Sequence, residues 1–409
     1  MAANPFKSIL RRYRTIFLIF VLVPIFILIA FIAVDPGNYA NSDFFTFWLS
    51  GHLTILGKDP YLSQLWIGGH NQFGAKWIPD PNFTYPFPVA ILFAPLGLLP
   101  LYQAFIVWVT LSELMIISSA VLLFKLNASP ITKYYIFPLL AGLALYRPTY
   151  ITFSQGQLSG LLLFLMTLTV YLWEKGRWWQ GSIFLPYLAL KPNIGVPIIV
   201  FLSLYLLLQK QIKALLAEAA SGLVLVLAAC VQNPSWIIEF WHVGSAKLAG
   251  YFGYSPTIWG ISSYLCNFRV SCSLSYGGWI AILFLIGTIY LVSRSYKVIS
   301  PTLAVCLAVT VTLLVTPYTW PYDQLLLVIP IMTITLRLAK SGSRFLPNAI
   351  IFLGIDIAAF ILLEISFMTQ LEIWAVAIPL CVFGLLAWFL TKDKMEEPKT
   401  VLGNGLGGF

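Results

Sequence analysis

Residues 15–34 read TIFLIFVLVPIFILIAFIAV, directly after Lys7, Arg11, Arg12 and Arg14. The run carries no charge, and it reaches the roughly 20 apolar residues that one membrane-crossing helix requires. A cleaved signal has a shorter apolar region, about 7–15 residues, before a small-residue cleavage site. The run therefore reads as a retained first helix with its N-terminus inside. The composition agrees: 59% of the 409 residues are hydrophobic and 10% are charged. A soluble domain has about 45–50% apolar and about 25% charged residues. Mean hydropathy is +0.87. These values exclude a soluble enzyme, a disordered chain and a disulfide scaffold. The net charge of +9 reads as Lys and Arg retained in cytoplasmic loops. No basic-aromatic module accompanies it, so nucleic acid is not an expected partner.

Further apolar runs occupy 101–124, 134–150, 157–173, 179–190, 194–209, 214–231, 276–293, 301–316, 321–338, 347–366 and 372–391. The runs 179–190 and 194–209 are short, and they read as a broken hairpin with Lys191-Pro192 at its tip. Pro88–Leu99 is too short to span and is expected at the interface or re-entering. The expected fold is an all-α polytopic membrane protein of about 12 crossing or re-entrant helices. One integral-membrane domain covers 1–391, with long outer loops at 35–100 and 232–275, and 392–409 forms a cytoplasmic tail. In this topology eighteen of the 24 Lys and Arg residues lie inside, as the positive-inside rule requires. The six outside are Lys58, Lys76, Arg147, Lys191, Lys247 and Arg269, and topology gives no reason for them. Gly403–Gly408 fits a G-x-G-x-x-G spacing but follows no strand, so it is not read as a dinucleotide site.

The first outer loop carries Asn41-Ser42-Asp43-Phe44-Phe45 and then Gly57-Lys58-Asp59-Pro60-Tyr61. Asp43 has two readings. A carboxylate held among aromatics at the interface acquires a raised pKa and suits a general base. Equally, Asp43 is placed to cap a helix over Phe44–Leu56. Asp59, before Pro60, reads as a turn residue. Arg147, Lys191 and Arg269 share the outer side with Asp43, where cations suit a lipid phosphate. Lys191 is the strongest of these because it interrupts an apolar hairpin; its alternative is a snorkelling Lys. Gln157 suits a sugar hydroxyl or a helix–helix hydrogen bond. Asp323 suits a cation or acceptor hydroxyls, or a helix N-terminus. Glu113, Glu218, Asp356 and Glu364 lie in or near spans, where acids are functional candidates. Cys230, Cys306 and Cys381 read as packing residues. Cys266 and Cys272 share a polar loop and can pair if that loop is extracytoplasmic.

The ordered motifs resemble glycosyltransferase family 87. They run Asp43-Phe44, Gly57-x-Asp59-x-Tyr61, Tyr85-Pro86, Pro95-Leu96 through Pro100 to Trp108, Gly156-Gln157, Lys191-Pro192 and Thr316-Pro317-x-x-Trp320-x-Tyr322. Each is short, and together they span about residues 43–330. The resemblance implies a GT-C glycosyltransferase fold and a polyprenyl-phosphate sugar donor. It implies that Asp43, matching an Asp of the first outer loop, is the catalytic base. Lys191, Arg147 and Arg269 are then the expected donor phosphate ligands. Gln157, Tyr85, Trp320, Tyr322 and Asp323 are the expected substrate-binding residues. Some mannosyltransferase members carry His near Tyr322-Asp323, and this chain has none of its His52, His70 or His242 there.

The expected activity is hexosyl transfer, with mannose first, to a lipid or glycan acceptor on the extracytoplasmic face of a bacterial plasma membrane. The resemblance also implies inversion by direct displacement. No cofactor and no tightly bound metal are expected, since the outer loops hold no D-x-D and Lys and Arg can meet the phosphate charge. The expected partners are the donor, the acceptor and membrane lipids. The rival readings are a secondary transporter or lipid flippase, which would use an acid such as Asp356, and a non-catalytic assembly subunit.

Overall fold

The computed structural model describes residues 24–76, 78, 80–127, 136–295, 299–340 and 345–393. The start of the first apolar run, the basic residues before it and the glycine-rich tail lie outside the described residues. The end of that run forms α1 (Pro24–Ala33). Asp35-Pro36-Gly37 then turns the chain, with the Gly37 N–H donating to Asp35 Oδ1 at 2.8 Å.

The first long loop is itself helical: α2 (Asp43–Ile55), α3 (Ser63–Gln72) and α4 (Phe87–Gly97). α4 holds the short apolar piece and packs along α2. Asp59 is a turn residue, as expected, since its Oδ1 accepts from the Tyr61 N–H at 2.9 Å. Next come α5 (Leu101–Leu126), α6 (Ile136–Leu145) and α7 (Arg147–Gln155). The sequence suggests one run over 134–150, but the helix breaks at Tyr146, which is extended. Pro148 is the cause: its ring would meet the carbonyl one turn back, so the helix restarts with Pro148 in its first turn.

α8 (Ser159–Glu174) leads to the expected hairpin. Its first limb is no spanning helix but a short α9 (Trp178–Ser182) and a 3-10 coil over Leu185–Leu190. α10 (Pro192–Leu208) starts directly after Lys191. The rest runs through α11 (Ile212–Gln232), α12 (Trp236–Tyr251), α13 (Ile258–Leu265), α14 (Val270–Ser295) and α15 (Pro301–Val315). A 3-10 coil at Pro321–Leu327 precedes α16 (Val328–Lys340), then α17 (Phe345–Thr369) and α18 (Ala377–Asp393). Cys266 and Cys272 form a disulfide between α13 and α14.

Among the described residues, four stretches are long and apolar enough to cross a membrane: Leu101–Leu126, Ile212–Gln232, Val270–Ser293 and Glu372–Leu390. α11 and α14 leave Leu223, Val224, Leu227, Ile282, Leu283 and Ile286 exposed. Faces of that size are stable against hydrocarbon and not against water. Cys306 is buried and Cys230, half-buried, packs against the core of the first loop, as expected of packing residues, whereas Cys381 is exposed. Glu113 and Asp356 are buried with no hydrogen-bond donor among the described residues. Glu218 accepts from Ser203 Oγ at 2.6 Å, and Glu364 is exposed.

Two apolar cores organise the molecule. One gathers the faces of α8, α10, α15, α16 and α18 around residues such as Leu163, Ile198, Leu307 and Ile329. The other is aromatic and built by the first loop and α5, with Phe44, Phe47, Trp66, Phe83 and Phe93 from the loop and Trp108 from α5. Leu158 and Leu190 belong to the aromatic core, while Leu188, Ile194 and Leu325 belong to the first. Gln157, Lys191 and Asp323 therefore fall on the seam between the two.

Candidate functional site

Asp43 is the first residue of α2. The non-helical residue before it is Ser42, whose backbone is extended and whose side chain makes no cap bond. The capping alternative for Asp43 is thus corrected: the cap position falls on Ser42, and the Asp43 Oδ2 accepts from Gln157 Nε2. Gln157 follows Gly156, which has φ +63°. A Cβ at residue 156 would lie 2.6 Å from the Phe44 Cβ and 2.7 Å from the Phe105 ring. Glycine there permits both the left-handed turn and the close approach of α7 to α2.

From Gln157 a buried polar chain continues. Lys191 Nζ donates to Gln157 Oε1 at 3.2 Å and to Asp323 Oδ1 at 2.5 Å. It also stands 4.3 Å from the centre of the Tyr322 ring. Asp323 accepts from Thr319 Oγ1 at 3.0 Å, the Trp320 N–H at 3.0 Å and Ser159 Oγ at 3.2 Å. An ammonium has only donors. Lys191 therefore selects the oxygen of the Gln157 amide and turns the NH₂ group toward Asp43.

The Asp43 side chain keeps one open edge on a cavity and is otherwise enclosed by protein. Burial pushes its pKa up, and the Gln157 hydrogen bond and the charges of Lys247 and Lys191 pull it partly back. Burial lowers the pKa of Lys191, opposed mainly by Asp323. Burial raises the phenols of Tyr85 and Tyr318, so both stay neutral hydrogen-bonding groups. The three acids nearby are each engaged: Asp43 by Gln157, Asp323 by Lys191, and Asp80 by Lys247 at 2.8 Å.

Two cavities adjoin this chain. One, of about 340 Å³, is lined by Asp43, Tyr85, Lys247, Tyr318, Trp320 and Tyr322 among others. The second, of about 360 Å³, has a largely apolar wall that includes Val196, Pro197, Phe240 and Trp241, with Lys191 and Lys247 at its polar end. Thr84, Tyr85, Lys247 and Tyr318 line both. Trp241 is 72% exposed and Val196 45% exposed, so the apolar cavity opens sideways on the apolar surface of the bundle.

The structure thus brings Asp43, Tyr85, Gln157, Lys191, Trp320, Tyr322 and Asp323 together. It does not bring Arg147 or Arg269 to the cavities. Arg147 is buried in an ion pair with Glu372 at 3.1 Å, because Pro148 starts α7 with Arg147 turned toward the 3-10 coil Glu372–Val376 that precedes α18. Arg269 is exposed in the disulfide loop. Sequence reasoning missed Lys247, Asp80, Tyr251 and Tyr318 as cavity residues. A signal existed for Lys247, one of the six cations on the uncommon side; none existed for Asp80.

Comparison with known families matches residues 83–317 to glycosyltransferase family 87. No curated protein and no solved structure matches the chain.

Proposed function

The chain belongs to glycosyltransferase family 87, and from that premise we propose that it moves one sugar, mannose first among the candidates, from a polyprenyl-phosphate carrier to a lipid or glycan hydroxyl. The reaction runs at the extracytoplasmic face of a bacterial plasma membrane, in a GT-C fold of about 12 crossing or re-entrant helices. The acceptor oxygen attacks the anomeric carbon, and its proton passes to Asp43. The bond between the anomeric carbon and the phosphate oxygen breaks, and polyprenyl phosphate leaves with the electron pair. With one base and no covalent sugar intermediate, the anomeric configuration inverts.

One observation carries this reading: a raised-pKa carboxylate, Asp43, faces a cavity whose neighbour offers two ammonium groups, Lys191 and Lys247, at the end of an apolar groove. A base whose pKa approaches the working pH transfers protons effectively. The departing phosphate gathers charge as the bond breaks, and preformed cations in a site shielded from water stabilise it. The groove beside Val196 and Trp241 suits an isoprenoid chain lying partly in lipid. Tyr85, Trp320 and Tyr322 supply aromatic faces and hydroxyls for the sugar, and Gln157 and Asp323 hold the base and the cation in register. Arg147 and Arg269 have no part in this scheme.

The test uses purified protein in lipid with polyprenyl-phosphate sugars and a mixed lipid and glycan acceptor extract, following loss of donor. Consumption by wild type and not by Asp43→Asn supports the reading. Consumption by both removes Asp43 from the chemistry, and consumption by neither with a folded protein rejects the donor class.

A further inference from the structure

Lys247 stands where three cavities meet. Besides the two described, it lines a third of about 390 Å³, whose walls include Asp80, Asn82, His242 and Tyr251. Its Nζ donates to Asp80 Oδ2 at 2.8 Å and to Thr84 Oγ1 at 3.0 Å. The rings of Tyr85 and Tyr251 flank the ammonium, each with its centre 5.8 Å away. Asp80 belongs to the first long loop and Lys247 to α12, so this pair joins the two loops that roof the site.

The pair differs from Lys191–Asp323 in one decisive respect. The side chains of Lys191 and Asp323 are 3% and 0% exposed, whereas those of Lys247 and Asp80 are 19% and 17% exposed. Lys191 is held by Asp323 and Gln157 and has little freedom to move. Lys247 is reached by water, and an ion pair of that kind shifts an equilibrium by only about fivefold. The donor's phosphodiester carries one negative charge on two free oxygens, as a carboxylate does, so it competes with Asp80 for the ammonium on near-equal terms, and the phosphate monoester left after transfer, with more charge and more acceptor oxygens, competes better.

Resting on the reading of a lipid-phosphate donor, we propose that Lys247 is a mobile phosphate ligand and Asp80 an acceptor-hydroxyl ligand. A lipid phosphate arriving beside Lys191 draws the Lys247 ammonium off Asp80. The freed carboxylate then receives a hydroxyl of a polyol or sugar acceptor in the third cavity. No bond is made or broken in this exchange; one ammonium changes partners. Donor and acceptor binding become coupled, and by linkage the coupling is equal in both directions.

The experiment uses the full chain in nanodiscs, with farnesyl phosphate and farnesol as lipid probes and methyl α-mannoside as the hydroxyl probe. Trp241 and Trp320, which line two of the cavities, report binding by fluorescence. Three results are expected. Asp80→Asn binds farnesyl phosphate about fivefold tighter than wild type, because the cation is no longer held. Lys247→Met binds it more weakly and gains less from Asp80→Asn. Farnesyl phosphate tightens methyl α-mannoside binding about fivefold in wild type and not in either variant. Asp80→Ser repeats the first arm should Asn fail to fold. Unchanged or weaker farnesyl phosphate binding by folded Asp80 variants overturns the proposal, as does absence of coupling to methyl α-mannoside. Wild type that binds farnesol as well as farnesyl phosphate rejects the phosphate-donor reading itself, an outcome distinct from failure of the exchange.

Discussion

Replacing Asp323 by Asn removes the charge opposite the Lys191 ammonium and leaves it neutral amide oxygens, that of the Asn and Gln157 Oε1 at 3.2 Å, and the Tyr322 ring. The pair is sealed, with side chains 3% and 0% exposed. Removing one partner of such a pair costs about 3–5 kcal/mol, because the charge that remains is uncompensated. Burial already lowers the Lys191 pKa, and Asp323 is the main influence raising it. Without Asp323 the ammonium sheds its proton more readily, which holds the cost near the lower figure, about 3 kcal/mol. Lys191→Met is different. Asp323 then keeps Thr319 Oγ1, the Trp320 N–H and Ser159 Oγ as donors, and the expected cost is about 1–2 kcal/mol. The double variant should cost less than the two singles added together. The assay is unfolding followed by tryptophan fluorescence in one fixed lipid–detergent mixture, over a pH series. A lysine with a lowered folded pKa binds its proton less well folded than unfolded, so stability rises with pH. The Asp323→Asn deficit should therefore shrink as pH climbs from the lowered value toward the ordinary lysine value of 10.5. The reasoning is refuted if Lys191→Met costs as much as Asp323→Asn, or if the two changes add.

Asp43→Asn should lower turnover by about 10²–10⁴-fold without lowering the thermal midpoint. An acid with a raised folded pKa loses stability as pH rises from its ordinary value of 3.8 through the raised one, so above that window the Asn variant should be at least as stable as wild type. Gln157→Leu removes a hydrogen bond that pulls the Asp43 pKa down; the acid limb of kcat/KM, lost in wild type as pH falls through the raised pKa, should move to higher pH. Gly156→Ala should destabilise by about 2–3 kcal/mol from its positive φ and the crowding on Phe44, read by denaturant midpoint. Arg269→Gln should leave donor KM unchanged, and Arg147→Gln should lower stability through Glu372 with no change in donor KM.

The Asp43 example shows how far local reasoning reaches. Its position after the first helix and among aromatics was visible in sequence, but two readings stayed open because both satisfy the same residue pattern. Tertiary structure bears on the capping reading alone: Asp43 lies inside α2, and its Oδ2 accepts from Gln157 in the turn between α7 and α8. Arg147 shows the opposite error. It shares the outer side with Asp43 in the expected topology, yet a common side says nothing about direction, and Pro148 turns it toward Glu372 instead. The hairpin before Lys191 kept its tip and lost its first helix, since its run is too short to state whether it coils or spans.

Sequence alone determined the membrane character, the all-helical build, the tip at Lys191-Pro192 and the family resemblance. These follow from composition and from runs of about 20 residues, and neighbours along the chain are enough to set them. Tertiary structure alone decided which polar groups meet. The contacts of Asp43 with Gln157, Gln157 with Lys191, and Lys191 with Asp323 join residues 114, 34 and 132 positions apart. Lys247 reaches Asp80 across 167. Hydropathy places each such residue at one end of a helix, but the packing of helices from distant parts of the chain determines which side chains come within hydrogen-bonding distance.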